Sequence, residues 1–300
     1  MTKLIPLSEA ISKYVQDGDT LYAAGFTHLI PFAAGHEIIR QRKRDLTLAR
    51  ATPDLIYDQM VAAGCARKVI FSYMGNPGVG SLRIVRAEIE AGRLEWEEYS
   101  HFGMISRLQA GAAGLPFMPM NQTAAIDLER ANPLIQRVTD PYSGKEVIVV
   151  PALNPDVAIV HVQRADKDGN AHLWGIIGEQ KESAFAAKKV ILTAEEIVDE
   201  TVIRSDPNRT LIPGFIVSAV CHVPYASHPS YAQGCYDRDN EFYLEWDKIS
   251  ADAQAIRAYL DKWVYGVKDR NEYWQKLGPE VHGRLQVKPR PSAPVDYGNY

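Results

Sequence analysis

A short glycine-containing loop near the N-terminus has a composition suited to contact with a reacting carbonyl group. The loop, Ala24-Gly25-Phe26-Thr27-His28, follows an apolar run that begins at Thr20. A glycine at the end of a strand lets the backbone approach a ligand closely, and free N–H groups there can stabilise a developing oxyanion. A glycine in this place is also typical of an ordinary turn, so the residues alone leave both interpretations open.

A second loop, Gly75-Asn76-Pro77-Gly78-Val79-Gly80, contains three glycines. Backbone N–H groups in such a loop can hold a phosphate or a carboxylate at the N-terminus of the helix that follows. The loop lacks the Lys-Ser/Thr pair of a Walker A motif, and its GxxGxG spacing differs from the GxGxxG of dinucleotide-binding loops. A plain turn therefore stays open beside an anion-binding loop.

A third cluster, Glu97-Glu98-Tyr99-Ser100-His101, places carboxylates and an imidazole at the end of a predicted strand. Glu98 and His101 are candidates for supporting roles in catalysis, either as an acid–base pair or as polar contacts to a substrate. The alternative is a solvated turn that also caps the helix predicted to begin near Gly103.

The sequence shows no pattern of a metal site or of a common nucleophile. Its other histidines have neither HxH nor HExxH spacing, and no GxSxG motif occurs. The segment 166–170 resembles the start of a calcium loop, but no carboxylate follows at the far position, which favours a tight hairpin turn. Cys65, Cys221 and Cys235 form no CxxC pair and indicate neither a disulfide framework nor a zinc site.

Composition argues against nucleic acid and membrane as partners. The formal net charge is -4, and charged residues make up 23% of the chain, which gives no electrostatic case for either. The basic cluster Arg40, Arg42, Lys43 and Arg44 is interpreted as solvated cations that stabilise the C-terminus of a helix, with phosphate binding as the alternative. Residues 1–6 contain no apolar signal segment, and no run reaches transmembrane length. We therefore expect a soluble cytoplasmic protein.

Elements that could position these loops alternate along the chain. Strands are predicted at residues 20–26, 46–51, 68–73, 94–99, 157–162, 190–193 and 215–223. Helices are predicted at residues 7–15, 32–40, 54–63, 81–91, 103–113, 251–265 and 271–277. Strands separated by helices predict an α/β fold, in which a mainly parallel sheet carries helices on both faces. The three loops then lie at carboxyl ends of strands, where such sheets bind ligands.

A single domain is predicted for residues 1–287. Residues 121–151 are rich in Pro, Asn and Asp and are interpreted as an irregular insertion within this domain. Residues 288–300 are expected to form an extended tail. The aromatic-rich helices near the C-terminus could pack on a partner or complete the chain's own core.

Taken in order, the loops resemble those of the A subunits of family I CoA-transferases, over about residues 5–278. The motifs that carry the resemblance are Gly25-Phe26-Thr27, residues 73–79, Glu98-Tyr99-Ser100, residues 107–117, residues 165–170 and residues 194–198. Residues 228–230 and 236–240 resemble the glutaconate type, whereas residues 26–31 and 52–55 resemble the 3-oxoadipate type. Each motif alone is unspecific, but six in the same order are specific.

The resemblance implies a reaction and a partner. In this family a glutamate carboxylate attacks the acyl-CoA thioester, passes through a mixed anhydride and holds CoA as an enzyme thioester until an acceptor carboxylate takes it. In two-subunit members that glutamate lies on the B-type partner, and Glu179 does not match its motif. The resemblance thus implies a B-type partner, an A2B2 heterotetramer, acyl-CoA and a small carboxylate as substrates, and no permanently bound cofactor.

The resemblance also implies roles for the loops. Contacts to the acyl group and CoA are expected from Gly25, Phe26, Thr27, Gly75, Asn76, Pro77 and Gly78. Glu98 and His101 are expected to shape the carboxylate pocket. The chain departs from many members at Ala24, where they carry glycine, and at His101, where they carry glutamine. Relatives with this fold also decarboxylate or hydrolyse CoA thioesters, so a lyase or hydrolase remains the second hypothesis and a non-enzymatic scaffold the third.

Overall fold

A mostly parallel β-sheet runs through the protein, whose computed structural model describes residues 2–76, 80–120 and 126–287. Seven strands pair in parallel in the order β6-β3-β2-β1-β10-β12-β14, and β11 and β13 add antiparallel pairs beside the second half of β10. The predicted α/β class with a mainly parallel sheet is confirmed. In chain order, the strands β1 to β14 are Thr20–Ala23, Leu46–Ala49, Ala66–Phe71, Gly75–Asn76, Gly80–Ser81, Glu95–Glu98, Phe117–Met120, Gln136–Thr139, Glu146–Pro151, Val157–Ala165, Ala171–His172, Lys189–Ile197, Thr210–Ile212 and Ala219–His222.

Helices connect the strands and cover the sheet. Several begin at a side chain that caps them: the Asp54 carboxylate accepts a hydrogen bond from the Leu55 N–H at 2.7 Å, and the Ser100 hydroxyl accepts one from the Gly103 N–H at 3.0 Å. In chain order, the α-helices of the described residues, α1 to α12, are Leu7–Tyr14, Phe32–Arg40, Leu55–Ala62, Arg83–Glu90, His101–Ala112, Ile126–Ala131, Gln180–Ala186, Glu200–Ser205, Asn240–Ile249, Ala253–Leu260, Arg270–Leu277 and Pro279–Arg284.

Both faces of the sheet are buried, which explains why its strands are continuous apolar runs. On β1, Leu21 and Ala23 face a core formed with α1 to α4, α9 and α10, whereas Tyr22 faces a second core formed with α5 and α7. The central strand β10 is buried along nearly all of its length. Alternate residues of one strand thus serve opposite cores, as parallel sheets require.

The segment predicted as an irregular insertion has regular structure where it is described. It contains α6, and β8 and β9 pair with β7 in a separate three-stranded antiparallel sheet. The prediction overlooked β9, whose apolar run at residues 147–150 is a strand signal, whereas β8 is exposed at every position and shows no hydrophobic alternation. The first part of the insertion (residues 121–125) and the predicted tail (residues 288–300) lie outside the described residues.

Two predictions in the second half of the chain have different outcomes. The turn predicted at residues 166–170 is present, and it joins β10 to the antiparallel β11. The strand predicted at residues 215–223 begins only at Ala219, because residues 214–216 form a 3₁₀ turn.

A buried carboxylate joins the C-terminal helices to the first core. Asp58 on α3 is fully buried and accepts hydrogen bonds from the N–H groups of Ile84 and Val85, at 3.0 and 2.9 Å, where α4 begins. The indole Nε1–H of Trp246 on α9 donates to its other oxygen at 3.1 Å. Burial raises the pKa of Asp58 to about 6, despite these three donors.

Asp58→Ala is expected to lower the free energy of unfolding by about 3 kcal/mol, because it leaves three donors without an acceptor in a region closed to water. Chemical denaturation of the purified chain measures the change. Asp252→Ala is the matched control, since Asp252 also accepts from two N–H groups at a helix start but is exposed to solvent. A loss of only about 1 kcal/mol is expected there, and equal losses in the two variants would contradict the prediction.

Candidate functional site

The first and third predicted loops meet at one edge of the sheet, because β1, β2, β3 and β6 are adjacent and parallel. The Gly25 loop follows β1, Ser72 follows β3, and His101 begins α5 just after β6. The rings of Phe26 and His101 meet edge to face with their centroids 5.8 Å apart. We call this meeting point of Phe26, Ser72 and His101 the candidate site.

The Gly25 loop folds back on itself through left-handed backbone conformations. Gly25 has a φ of 125°, and Thr27 and Leu29 have φ values of 55° and 53°. A Cβ atom on Gly25 would lie 2.7 Å from the carbonyl oxygen of His28 and 2.9 Å from that of Leu29. Only glycine therefore fits at this position.

The neutral imidazole ring of His28 fixes the loop to neighbouring segments through two hydrogen bonds. The Gln233 N–H donates to Nε2 of His28 at 3.0 Å, so Nδ1 carries the proton and donates to the Ile176 carbonyl at 3.0 Å. Burial lowers the pKa of His28 to about 4. The Ser230 hydroxyl donates to the Thr27 carbonyl at 2.8 Å. The loop is thus fixed to two other segments of the chain.

The hydrogen bonds of His101 determine where its proton lies. Ser72 donates its single hydroxyl proton to the Ala51 carbonyl, so its oxygen must accept from Nδ1 of His101, 2.8 Å away. Nε2 of His101 lies 3.4 Å from the Thr52 hydroxyl. In the neutral ring Nε2 is therefore an acceptor, and in the charged ring it is a donor that can bind a carboxylate.

Glu98 is not paired with His101. It is half-buried, burial raises the pKa of its carboxyl, and no hydrogen bond joins it to His101 among the residues described. The preceding carboxylate, Glu97, is instead held in ion pairs with Lys68 and Arg107. An acid–base pair of Glu98 and His101 is therefore not formed in this arrangement, whereas separate polar contacts from the two side chains remain a prediction.

The two ends of the second glycine loop pair with each other as antiparallel strands. Gly75 and Asn76 form β4, which pairs with β5 so that Gly75 lies opposite Ser81. The helix α4 begins only at Arg83, so the loop does not lead directly into a helix N-terminus. Pro77 and Gly78, which were also predicted to contact the substrate, lie outside the described residues.

Two buried charged residues behind the Gly25 loop were missed as site residues. Arg50 follows β2, is fully buried and donates a hydrogen bond from Nη2 to the Gly25 carbonyl. Glu179 is 1% exposed, and its Oε1 has no hydrogen-bond partner in the described part of the chain. Burial raises the pKa of Glu179, and the charge of Arg50 opposes that shift. The available signal was an arginine directly after an apolar strand.

Several exposed apolar side chains lie next to residues of the candidate site and of its anchor. Tyr73 is 60% exposed and follows Ser72, and Phe102 is 55% exposed and follows His101. Ile176 and Ile177 are also exposed, beside the anchor of His28. Large exposed apolar residues grouped around polar ones are typical of a surface that another protein covers.

The structure offers no metal site and no membrane span in the parts it describes. Across residues 2–76, 80–120 and 126–287, no three His, Cys, Asp or Glu side chains are grouped so that they could hold a metal ion. Over the same ranges, none of the helices combines the length and apolar composition needed to span a bilayer.

Comparison with known proteins agrees with the fold and with the order of the loops. The sequence profile of the coenzyme A transferase family matches residues 5–222. The chain is 49% identical over 280 residues to the A subunit of the 3-oxoadipate CoA-transferase of Pseudomonas knackmussii, covering 92% of this chain and 99% of that one. It is 36% identical to the A subunit of the glutaconate CoA-transferase of Acidaminococcus fermentans, covering 96% of each chain.

Solved structures give the same result. The crystal structure of the Acidaminococcus fermentans glutaconate coenzyme A-transferase superposes with a TM-score of 0.90 over 96% of each chain. The decarboxylase AibA/AibB superposes with a TM-score of 0.74 at 30% identity, over 87% of this chain and all of that one. The predicted resemblance is confirmed: this chain is a member of the coenzyme A transferase family, of the A-subunit type.

Proposed function

We propose that this chain is the A subunit of a two-subunit CoA-transferase that moves CoA from a donor such as succinyl-CoA to a dicarboxylic or β-keto acid. The acceptor class that we favour is that of 3-oxoadipate, with glutaconate as the second candidate. The observation that carries this choice is the 49% identity to the A subunit of a 3-oxoadipate CoA-transferase over nearly the whole length of both chains. The protein would act in the cytoplasm, with no permanently bound cofactor.

The burial of Glu179 supports a nucleophile supplied by a B-type partner. The attacking carboxylate must reach the thioester carbonyl of a bound acyl-CoA. Glu179 lies behind the Gly25 loop with 1% of its surface exposed, so it cannot make this approach. The exposed apolar residues around the candidate site fit a partner that closes over it. We expect two A-type and two B-type chains in the assembly.

In this proposal the candidate site forms the wall of the reaction chamber that this chain contributes. The Gly25–Phe26–Thr27 backbone and residues 75–78 contact the acyl group. Nε2 of His101 contacts the acceptor carboxylate, because its Nδ1 is already bound to Ser72. Glu98 lines the same pocket, where partial burial raises the pKa of its carboxyl.

The reaction can be balanced without groups from outside the substrates and the partner glutamate. The glutamate oxygen bonds to the donor acyl carbon and CoA thiolate leaves, which gives a mixed anhydride. The thiolate then attacks the glutamyl carbonyl and releases the donor carboxylate, which leaves a glutamyl-CoA thioester. The acceptor carboxylate repeats these two steps in reverse and departs as the new acyl-CoA.

Co-expression with a B-type partner from the same organism tests the proposal. We expect succinyl-CoA-dependent formation of 3-oxoadipyl-CoA, faster than formation of glutaconyl-CoA. Borohydride should reduce the enzyme thioester on a glutamate of the partner when donor is present and acceptor is absent. Transfer without any trapped thioester would contradict the mechanism, and the absence of transfer to either acid would contradict the function.

A CoA-thioester lyase or hydrolase is the second candidate, because the AibA/AibB decarboxylase shares the fold at 30% identity. The same assay separates the two. A lyase or hydrolase would consume an acyl-CoA in the absence of any acceptor carboxylate, whereas a transferase would stop after one equivalent per active site.

A further inference from the structure

An unusual arginine supports the Gly25 loop from inside the protein. Arg50 follows the four buried residues of β2 and has no exposed surface. Nη2 donates to the Gly25 carbonyl oxygen. The remaining guanidinium donors, Nε and Nη1, have no hydrogen-bond partner in the described part of the chain. A buried charge costs several kcal/mol to desolvate, so its retention at this point requires a reason.

The orientation of one peptide group gives that reason. In a trans peptide the C=O of one residue and the N–H of the next point in opposite directions, and the Gly25–Phe26 bond is trans. Because the Gly25 carbonyl points at the buried guanidinium, the Phe26 N–H points away from it, out of the protein interior. The Phe26 N–H donates to no group in the described residues, so it is available to a ligand.

The loop alone does not determine this orientation. Glycine has access to more of φ/ψ space than any other residue, so a peptide beside Gly25 can rotate with little steric cost. On the other side Phe26 is held by packing: a Cβ atom on Gly178 would lie 2.5 Å from the Phe26 Cβ, and the Phe26 ring meets His101. The hydrogen bond from Arg50 is therefore what fixes the carbonyl inward and the N–H outward.

The charge of Arg50 adds to the effect. A charged donor polarises the peptide that accepts from it, which makes the N–H of the same peptide a stronger donor. The same charge acts on two buried carboxyls: burial raises the pKa of Asp54 and of Glu179, and the charge of Arg50 opposes both shifts. A neutral donor in place of Arg50 would orient the peptide but would not polarise it as strongly.

We propose that Arg50 is a positioning residue, which holds the Gly25–Phe26 peptide so that the Phe26 N–H donates to the oxyanion formed at the thioester carbonyl. This role rests on the proposed transferase function. Arg50 itself does not touch the substrate. Its effect reaches the reaction through the direction and the polarisation of one N–H group.

Kinetics of assembled enzyme carrying Arg50→Met or Arg50→Lys test the role. Arg50→Met is expected to lower kcat about 100-fold, the typical loss of one oxyanion donor, while KM for the acyl-CoA changes less than threefold. Arg50→Lys keeps the charge, and its kcat should be at least tenfold higher than that of Arg50→Met. It also keeps the test decisive if Arg50→Met does not fold.

Arg270→Met is the matched control. Arg270 is also buried, donates to the carbonyls of Tyr225 and His228 at 2.8 and 2.5 Å, and has an Nη1 without a partner in the described chain. Its replacement should lower the melting temperature but leave kcat of the folded enzyme within threefold. Equal kcat losses in Arg50→Met and Arg270→Met, or a wild-type kcat in Arg50→Met, would overturn the proposal.

A crystal structure of Arg50→Met separates this proposal from the proposed function. We expect the Gly25–Phe26 peptide to be rotated, with its carbonyl no longer pointing inward. An unrotated peptide would overturn the role of Arg50 even if the wild-type enzyme transfers CoA. A wild-type assembly that transfers no CoA would contradict the function, while a rotated peptide would still establish that Arg50 orients the loop.

Discussion

Gly25→Ala is expected to lower kcat of the assembled enzyme by at least 100-fold. The new Cβ would lie 2.7 Å from the His28 carbonyl oxygen and 2.9 Å from that of Leu29, and both are backbone atoms that cannot rotate away. Residues that carry a side chain also rarely adopt a φ of 125°, the value at Gly25. The loop must therefore move, and a displacement of even 1 Å at a reacting group is costly. Steady-state transfer from succinyl-CoA measures the loss.

Gly18→Ala is the control for this prediction. Gly18 has a φ of 87°, so alanine is strained there as well, but its Cβ would meet no atom within 4 Å. We expect a lower free energy of unfolding, by about 1 kcal/mol, and no change in kcat. If Gly25→Ala also retained kcat within threefold, the Gly25 loop would not lie against the thioester.

His101→Ala is expected to raise KM for the acceptor carboxylate 10- to 100-fold. A charged imidazole donates a hydrogen bond worth about 1.5–3 kcal/mol to a carboxylate, and the bond from Nδ1 to Ser72 aims the other nitrogen. KM for the acyl-CoA donor should change less, if the donor is held mainly through its CoA portion. Varying each substrate at saturating levels of the other measures the two constants separately.

Two further variants make the test of His101 specific. His101→Gln keeps an N–H donor, and we expect KM for the acceptor to stay within about fivefold of the wild-type value. His282→Ala removes a histidine outside the candidate site, whose ring stacks on that of Trp274 with the centroids 4.3 Å apart. This variant should change neither constant. An unchanged acceptor KM in His101→Ala would show that another group binds the carboxylate.

The order of strands and loops could be predicted because it depends on local patterns. Strands such as β10 are long apolar runs, and the glycine loop follows β1 in sequence as well as in space. Parallel pairing then brings Phe26 and His101 to the same edge of the sheet. Periodicity and turn residues were sufficient for this part of the site.

The support beneath the loop could not be predicted in the same way. The bond from Arg50 to the Gly25 carbonyl joins the ends of two adjacent strands, and no local pattern shows which atoms will meet there. A charged residue is also expected at the surface, so the burial of Arg50 and Glu179 was not predicted, although Arg50 directly follows an apolar strand. In the small sheet of β7, β8 and β9, the exposed strand β8 carries no apolar signal, and the apolar run of β9 was overlooked within a segment rich in Pro, Asn and Asp.

The burial of Asp58 has a consequence for how the chain is made. The Asp58 carboxylate accepts one of its three hydrogen bonds from Trp246, which lies 188 residues later in the sequence. In the same way, the Asp54 carboxylate accepts a hydrogen bond from the hydroxyl of Tyr243, 189 residues later. At about 5–20 residues per second, a ribosome needs roughly 10–40 s to cover that distance. The half of the protein that carries the candidate site must therefore wait, incompletely packed, until its last third leaves the exit tunnel.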